Sequence, residues 1–174
     1  MHTRDVVLCY PKRTPVGRYG GALKSVPVQE LASLVVKTIV EESGIDPTKI
    51  DDVILGQGSP NGAAPALGRV AALDAGLPTT VPGETVNRLC ASGLSAGIAA
   101  ARAIQSGDGD LFVAGGVENM TRAPFVMSKP SKAFGTDSQM ADSSFGWRFI
   151  NPRMQELYGT DAMGETAENL VDRD

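Results

Sequence analysis

The chain has 174 residues, of which 42% are hydrophobic and 21% charged, and a net charge of −4. That is long enough for one domain with a substantial core. No basic stripe is present to neutralise phosphates, which excludes nucleic acid as a partner and leaves small neutral or anionic ligands bound by local geometry.

The opening residues, MHTRDVVLCYPKRTP, have neither the apolar stretch of a secretory signal nor the composition of a transit peptide. No apolar run approaches the roughly 18 residues that cross a bilayer, so no membrane contact is expected. Cys9 and Cys90 are the only cysteines and form no CxxC pair or Cys/His cluster, which argues against a metal and for a reducing, cytoplasmic compartment. Residues 5–9 (DVVLC) are β-rich and mostly apolar, as a strand covered on both faces would be, and Cys9 is expected to pack inside it.

From Val28, apolar residues recur at Leu31, Ala32, Val35 and Ile39 between Pro27 and Gly44, the period of an amphipathic helix. Asp46 and Pro47 start a turn, and residues 53–55 make a second strand. Residues 66–75 (ALGRVAALDA) read as a helix closed by Gly76 and Pro78. A third strand at 84–87, a helix over Ser92–Ser106 stopped by Gly107, and a fourth strand at 111–114 follow. The alternation predicts a layered α/β domain with a largely parallel sheet.

Beyond Gly116 the pattern changes. Residues 117–160 are rich in Pro, Gly, Ser and Met with no sustained period, too long for an ordinary connection. They read as a lid, a binding loop or part of an inserted domain, with Trp147 and Phe149 anchoring a small core. Helical spacing resumes at Ala167, Leu170 and Val171 and stops at Asp174, an unfinished helix that reads as a truncation.

The stretch TVNRLCASGLSAGIAAARAIQSG places Cys90 where strand becomes helix. A thiol there sits near unpaired backbone N–H groups and the positive end of the helix dipole, which stabilise a thiolate. Ala91, Ser92, Gly93, Ser95, Ala96 and Gly97 leave space beside the sulfur, and the turn is expected to project it as a nucleophile elbow does. The plainer alternative is a small buried hydrophobe.

VNRLCASG around Cys90 resembles the nucleophile motif of the thiolases, enzymes that make or cleave 3-oxoacyl-CoA thioesters. RTPVGRYGG (13–21), GGVENMTRAPF (115–125) and MGETAEN (163–169) agree with that family in order and spacing, so the resemblance spans the chain. NRLCASG with RAPFVM and GWRFINP is most similar to the 3-oxoadipyl-CoA thiolase branch, with acetyl-CoA acetyltransferases next. The implied fold is layered α/β/α with a mixed, mostly parallel sheet. Residues 1–118 would form an N-terminal domain lacking its last strand, and residues 119–174 the beginning of a loop domain.

The resemblance implies that Cys90 attacks the substrate carbonyl and carries the acyl group as a thioester. Its backbone N–H would supply half of an oxyanion hole, completed by a glycine amide from the far end of a full-length thiolase. Met163 matches a residue lining the acyl pocket, and Met154 an apolar position contacting CoA. Ala162 stands where biosynthetic relatives carry a histidine, so that histidine's CoA contacts do not carry over. No permanently bound cofactor is implied: coenzyme A and acyl-CoA are substrates, and a homo-oligomer is expected.

Elsewhere the residues have simpler explanations. Gly115 and Gly116 are expected to allow a tight turn, and Arg13 and Arg18 to be solvated or salt-bridged. GQGSPNG (56–62) has the wrong spacing, and prolines in the wrong places, for a dinucleotide fingerprint.

In the family the activating histidine of a GHP motif, an NE-type motif and the second cysteine of a CxG motif all come from the C-terminal half. His2, the one histidine, and Cys9 match none of them. Little turnover is therefore expected from these residues alone, and a C-terminal thiolase half in cis or in trans is the implied partner. The exposed apolar surfaces left without it predict poor solubility or obligatory association. Two other readings are a ketoacyl-synthase-type condensing enzyme and a non-catalytic acyl-CoA-binding or assembly module derived from a thiolase half. RTPVGRYGG and GGVENM favour thiolase over the first.

Overall fold

Pro27, with its fixed φ of −57°, opens helix α1 (Val28–Ser43), whose buried stripe is Val28, Leu31, Ala32 and Val36. The computed structural model describes residues 4–60 and 63–173. His2, the end of the GQGSPNG stretch and Asp174 lie outside the described residues.

Strand β1 (Asp52–Gly56) is buried from Val53 onward, which marks it as central, covered on both faces. It pairs in parallel with β2 (Gly83–Val86) on one side and β3 (Phe112–Gly116) on the other, giving the order β2-β1-β3. Helix α2 (Leu67–Asp74) connects β1 to β2, and α3 (Ser92–Ser106) connects β2 to β3. The pleat sends alternate residues of β1 to opposite faces. Val53 and Leu55 join Val28, Val36, Leu67 and Ala71 of α1 and α2 in the larger core cluster. Ile54 meets Ala96 and Ala100 of α3 in the smaller one. The result is an α/β/α sandwich around a parallel sheet.

Three of the four strands read from the sequence are present in this sheet, and α3 has the bounds read for it. Residues 5–9 are the exception: they carry no strand, Val7 and Leu8 are 76% and 93% exposed, and Cys9 is exposed rather than packed. The segment is held by ion pairs at its ends, Arg4 to Asp110 and Lys12 to Glu42, each at 2.5 Å. A β-rich sequence becomes a strand only where a neighbour supplies ladder bonds and a surface to cover, and this segment finds neither. Gly115 and Gly116, expected in a turn, are the last residues of β3.

Residues 4–122 form one compact unit and residues 123–173 a second. In the second, β4 (Phe125–Met127) and β5 (Met140–Asp142) pair antiparallel, Val126 opposite Ala141. Helix α4 (Pro152–Tyr158) starts with Asn151 accepting from the N–H groups of Arg153 and Met154, a side-chain cap with proline in the first turn. Helix α5 (Met163–Arg173) follows. Among the described residues of this unit only Ser143 and Ser144 are buried. Trp147 and Phe149, expected to anchor a small core, are 47% and 43% exposed. So short a segment cannot enclose two large rings.

Candidate active site

Because all three strands of the larger sheet run parallel, their carboxyl ends emerge at one edge. The chain leaves β1 toward β2 through a helix on one face and returns to β3 through a helix on the other. A crevice outside the carboxyl ends is the expected place for a site at such a reversal.

Three glycines shape that crevice. Gly56 and Gly116, the last residues of β1 and β3, stand opposite each other in register. A Cβ on Gly56 would lie 2.5 Å from the Gly93 nitrogen and overlap the Ser92 carbonyl carbon; one on Gly116 would lie 3.0 Å from Gly93 Cα. Only the absence of side chains lets the first turn of α3 settle onto the strand ends.

Between Val86 and Ser92 the chain makes the elbow. Leu89 has φ +49°, a left-handed conformation that costs a side-chain-bearing residue energy and needs support. Its N–H donates to Asn87 Oδ1 at 2.9 Å. Its carbonyl accepts from the buried Ser92 hydroxyl at 2.6 Å, and the same hydroxyl oxygen accepts from Arg88 N–H at 2.8 Å. Cys90 follows, a free exposed thiol lining a hollow of about 480 Å³ with Gly56, Gly93, Gly116, Glu118 and Met120. A strained strand-to-helix turn that presents a thiol beside open space is an arrangement suited to covalent acyl transfer.

The opposite rim is tied down by Glu118. Its carboxylate accepts from Gly58 N–H at 2.8 Å and from Ser59 N–H at 3.2 Å. Asn87 Nδ2 donates across to the Gly58 carbonyl at 3.2 Å. The displaced carboxyls of this unit lie toward the other end of β1. Asp51 is held below the ordinary carboxylate range by the N–H of Asp110 and then that of Leu111, while burial raises neighbouring Asp52. Among the described residues, no cluster of three or more His, Cys, Asp or Glu could hold a metal ion, and no helix is long and apolar enough to cross a membrane.

Met154 lies in α4 and is half-buried; Met163 is the first residue of α5 and is 81% exposed. Both belong to the second unit and Cys90 to the first. Arg13 and Arg18 are exposed, Arg13 donating to the Thr14 carbonyl at 3.1 Å. Sequence reading gave no role to Gly56, Asn87 or Glu118. Asn87 and Glu118 sit inside the VNRLCASG and GGVENM motifs, yet nothing local marks them as contacting Gly58.

The parallel α/β/α sandwich is that of a thiolase: the family model for the thiolase N-terminal domain matches residues 6–173, and the chain belongs to that family. The chain is 51% identical over 171 residues to the 3-oxoadipyl-CoA/3-oxo-5,6-dehydrosuberyl-CoA thiolase of Escherichia coli (strain K12), over 97% of this chain and 43% of that protein. It is 49% identical to the beta-ketoadipyl-CoA thiolase of Pseudomonas knackmussii, again over 43% of the relative, and 40% identical to the acetyl-CoA acetyltransferase of Cupriavidus necator. The crystal structure of the Bacillus anthracis acetyl-CoA acetyltransferase matches 92% of this chain and 40% of its own, with a TM-score of 0.74 and 39% identity. The chain thus spans less than half the length of these relatives.

Proposed function

We propose that this chain carries the nucleophile half of an acyl-CoA acyltransferase, with Cys90 as the acylated residue. The observation that carries the reading is the strained Leu89–Cys90 elbow opening beside Gly56, Gly93 and Gly116. In the cleavage direction Cys90 Sγ gives up its proton to a base and bonds to the 3-oxo carbon of a 3-oxoacyl-CoA. The bond between that carbon and C2 then breaks, its electron pair passing to C2, which takes a proton and leaves as acetyl-CoA. The thiol of free coenzyme A attacks the acyl-cysteine carbonyl, Sγ departs, and the shortened acyl-CoA is released. The Cys90 N–H is one donor to the oxyanion of each tetrahedral intermediate. The base, the acid and the other donor belong to a C-terminal thiolase half, in cis or in trans.

Residues 1–118 then act as the N-terminal domain and 119–174 as the beginning of the loop domain, Met163 lining the acyl pocket and Met154 contacting coenzyme A. The higher identity to thiolases named for 3-oxoadipyl-CoA and beta-ketoadipyl-CoA supports a 3-oxo dicarboxylic acyl-CoA substrate in aromatic degradation. A cytoplasmic homo-oligomer without a permanently bound cofactor completes the reading. Incubation with acetyl-CoA in the presence of a C-terminal half is expected to add about 42 Da, one acetyl group, to this chain. Cys90→Ser abolishes the adduct and Cys9→Ser leaves it. An adduct that survives Cys90→Ser, or none on the wild-type chain, overturns the assignment.

A further inference from the structure

The elbow that presents Cys90 is held from within by the Ser92 hydroxyl and from outside through Asn87. The N–H of Leu89, whose backbone is left-handed, meets Asn87 Oδ1, so the orientation of the Asn87 amide bears on the geometry of the turn. That orientation is set from outside the elbow, since Asn87 Nδ2 donates to the Gly58 carbonyl. Residue 58 in turn lies in a glycine-flanked loop beyond β1 with little local preference for one conformation. Its peptide is fixed by Glu118, whose Oε2 accepts from both Gly58 and Ser59 N–H groups. Glu118 is itself delivered to the rim by the end of β3, where Val117 N–H bonds the Gly56 carbonyl at 3.1 Å. Three segments distant in sequence, the exits of β1 and β3 and the elbow after β2, are thereby linked through one carboxylate. One carboxylate oxygen accepting from two successive N–H groups is a directional contact suited to that task.

We propose that Glu118, acting through Gly58 and Asn87, is a positioning residue that holds the Leu89–Cys90 turn in its reactive geometry. The inference rests on the reading of Cys90 as the nucleophile. It goes beyond that reading in giving Glu118 a purpose other than charge or acid–base chemistry. A length-preserving amide can set its one carbonyl oxygen on the Gly58 and Ser59 N–H groups as Oε2 does, without the charge, and gives up only the second Ser59 contact at Oε1. A carboxylate one methylene shorter keeps the charge and cannot reach both N–H groups.

The test uses the whole chain with a C-terminal half present, as in the acylation assay, and iodoacetamide, with peptide mass mapping to give the ratio of alkylation rates at Cys90 and Cys9; both thiols are exposed, so Cys9 is the internal control. In the wild type Cys90 is expected to react faster than Cys9. Glu118→Asp is expected to lower the ratio about tenfold, while Glu118→Gln stays within about twofold of wild type. Asn87→Ala, which cuts the link at its other end, is expected to match the loss in Glu118→Asp. Far-UV circular dichroism checks that helix content is retained, and if one of these two variants loses it the other decides. An unchanged ratio in the deciding variant, or a Glu118→Gln chain as slow as Glu118→Asp, overturns the positioning role and leaves the nucleophile reading standing. A wild-type ratio near one overturns the nucleophile reading itself, and this inference with it.

Discussion

Replacing Gly56 with alanine puts a methyl group where the first turn of α3 already lies. The added carbon would stand 2.5 Å from Gly93 N and from Ser92 O. Ordinary carbon contacts begin near ~3.5 Å, so strand and helix must part by about 1 Å. Both neighbours are backbone and cannot rotate aside as a side-chain tip could. The displacement loosens Ile54 from Ala96 and Ala100, and overpacking of this kind costs about 3 kcal/mol. Gly97→Ala is the matched control: no atom lies within 4 Å of its added carbon and its φ is not positive, so the helix gains about 0.8 kcal/mol from alanine's propensity. Urea denaturation followed by far-UV ellipticity reads both, with an unchanged slope confirming that only stability has moved. The same movement shifts Ser92, two residues from the proposed nucleophile, and acylation of Cys90 in the presence of a C-terminal half should fall by about a hundredfold. A Gly56→Ala chain within about 0.5 kcal/mol of wild type would refute the close-approach argument, because the strain it invokes exceeds that several-fold.

Leu89→Gly relieves the left-handed backbone at an exposed position and should raise the denaturation midpoint, whereas β-branched Leu89→Ile should lower stability by about 1 kcal/mol; the reverse order would show the turn is not strained. Gln57 is 2% exposed and neither side-chain polar atom has a partner. Gln57→Met, similar in length and apolar, should therefore gain about 1 to 2 kcal/mol in the same assay, and a loss would reveal a bond that the amide makes. The carboxyl of Asp51 is held low by the N–H groups of Asp110 and Leu111. A group depressed in the folded state contributes stability above its unfolded value, near ~3.9, and loses that contribution as the pH falls through the lower folded value. Denaturation midpoints from pH 6 down to about 3 should therefore fall more steeply for wild type than for Asp51→Asn, and parallel curves would exclude the linkage.

Helices α1, α2 and α3 and the central strand were legible in the sequence because their signals are local. The stripe Val28, Leu31, Ala32, Val36 has a period readable without partners, and Gly107, with φ +88°, stops α3 where the apolar spacing stops. The unbroken apolar run at Val53, Ile54 and Leu55 could only be satisfied by cover on both faces, as found. Cys90 at a strand-to-helix junction was equally visible, because both flanking elements announce themselves.

Pairing and convergence were not visible. The run at residues 5–9 has the composition of a strand, yet a strand is a relation between two segments, and this one has no partner among the described residues. Trp147 and Phe149 carry the apolar surface of core residues, but burial depends on what surrounds them. Glu118 reaches across 60 residues to Gly58, and Asn87 across 29. Local patterning thus settled helices α1 to α3, the three strands of the parallel sheet and where the thiol would stand. The supports of that thiol, the glycines beneath it and the carboxylate across from it, were decided by tertiary structure, because contacts between distant residues leave no periodic trace in the chain.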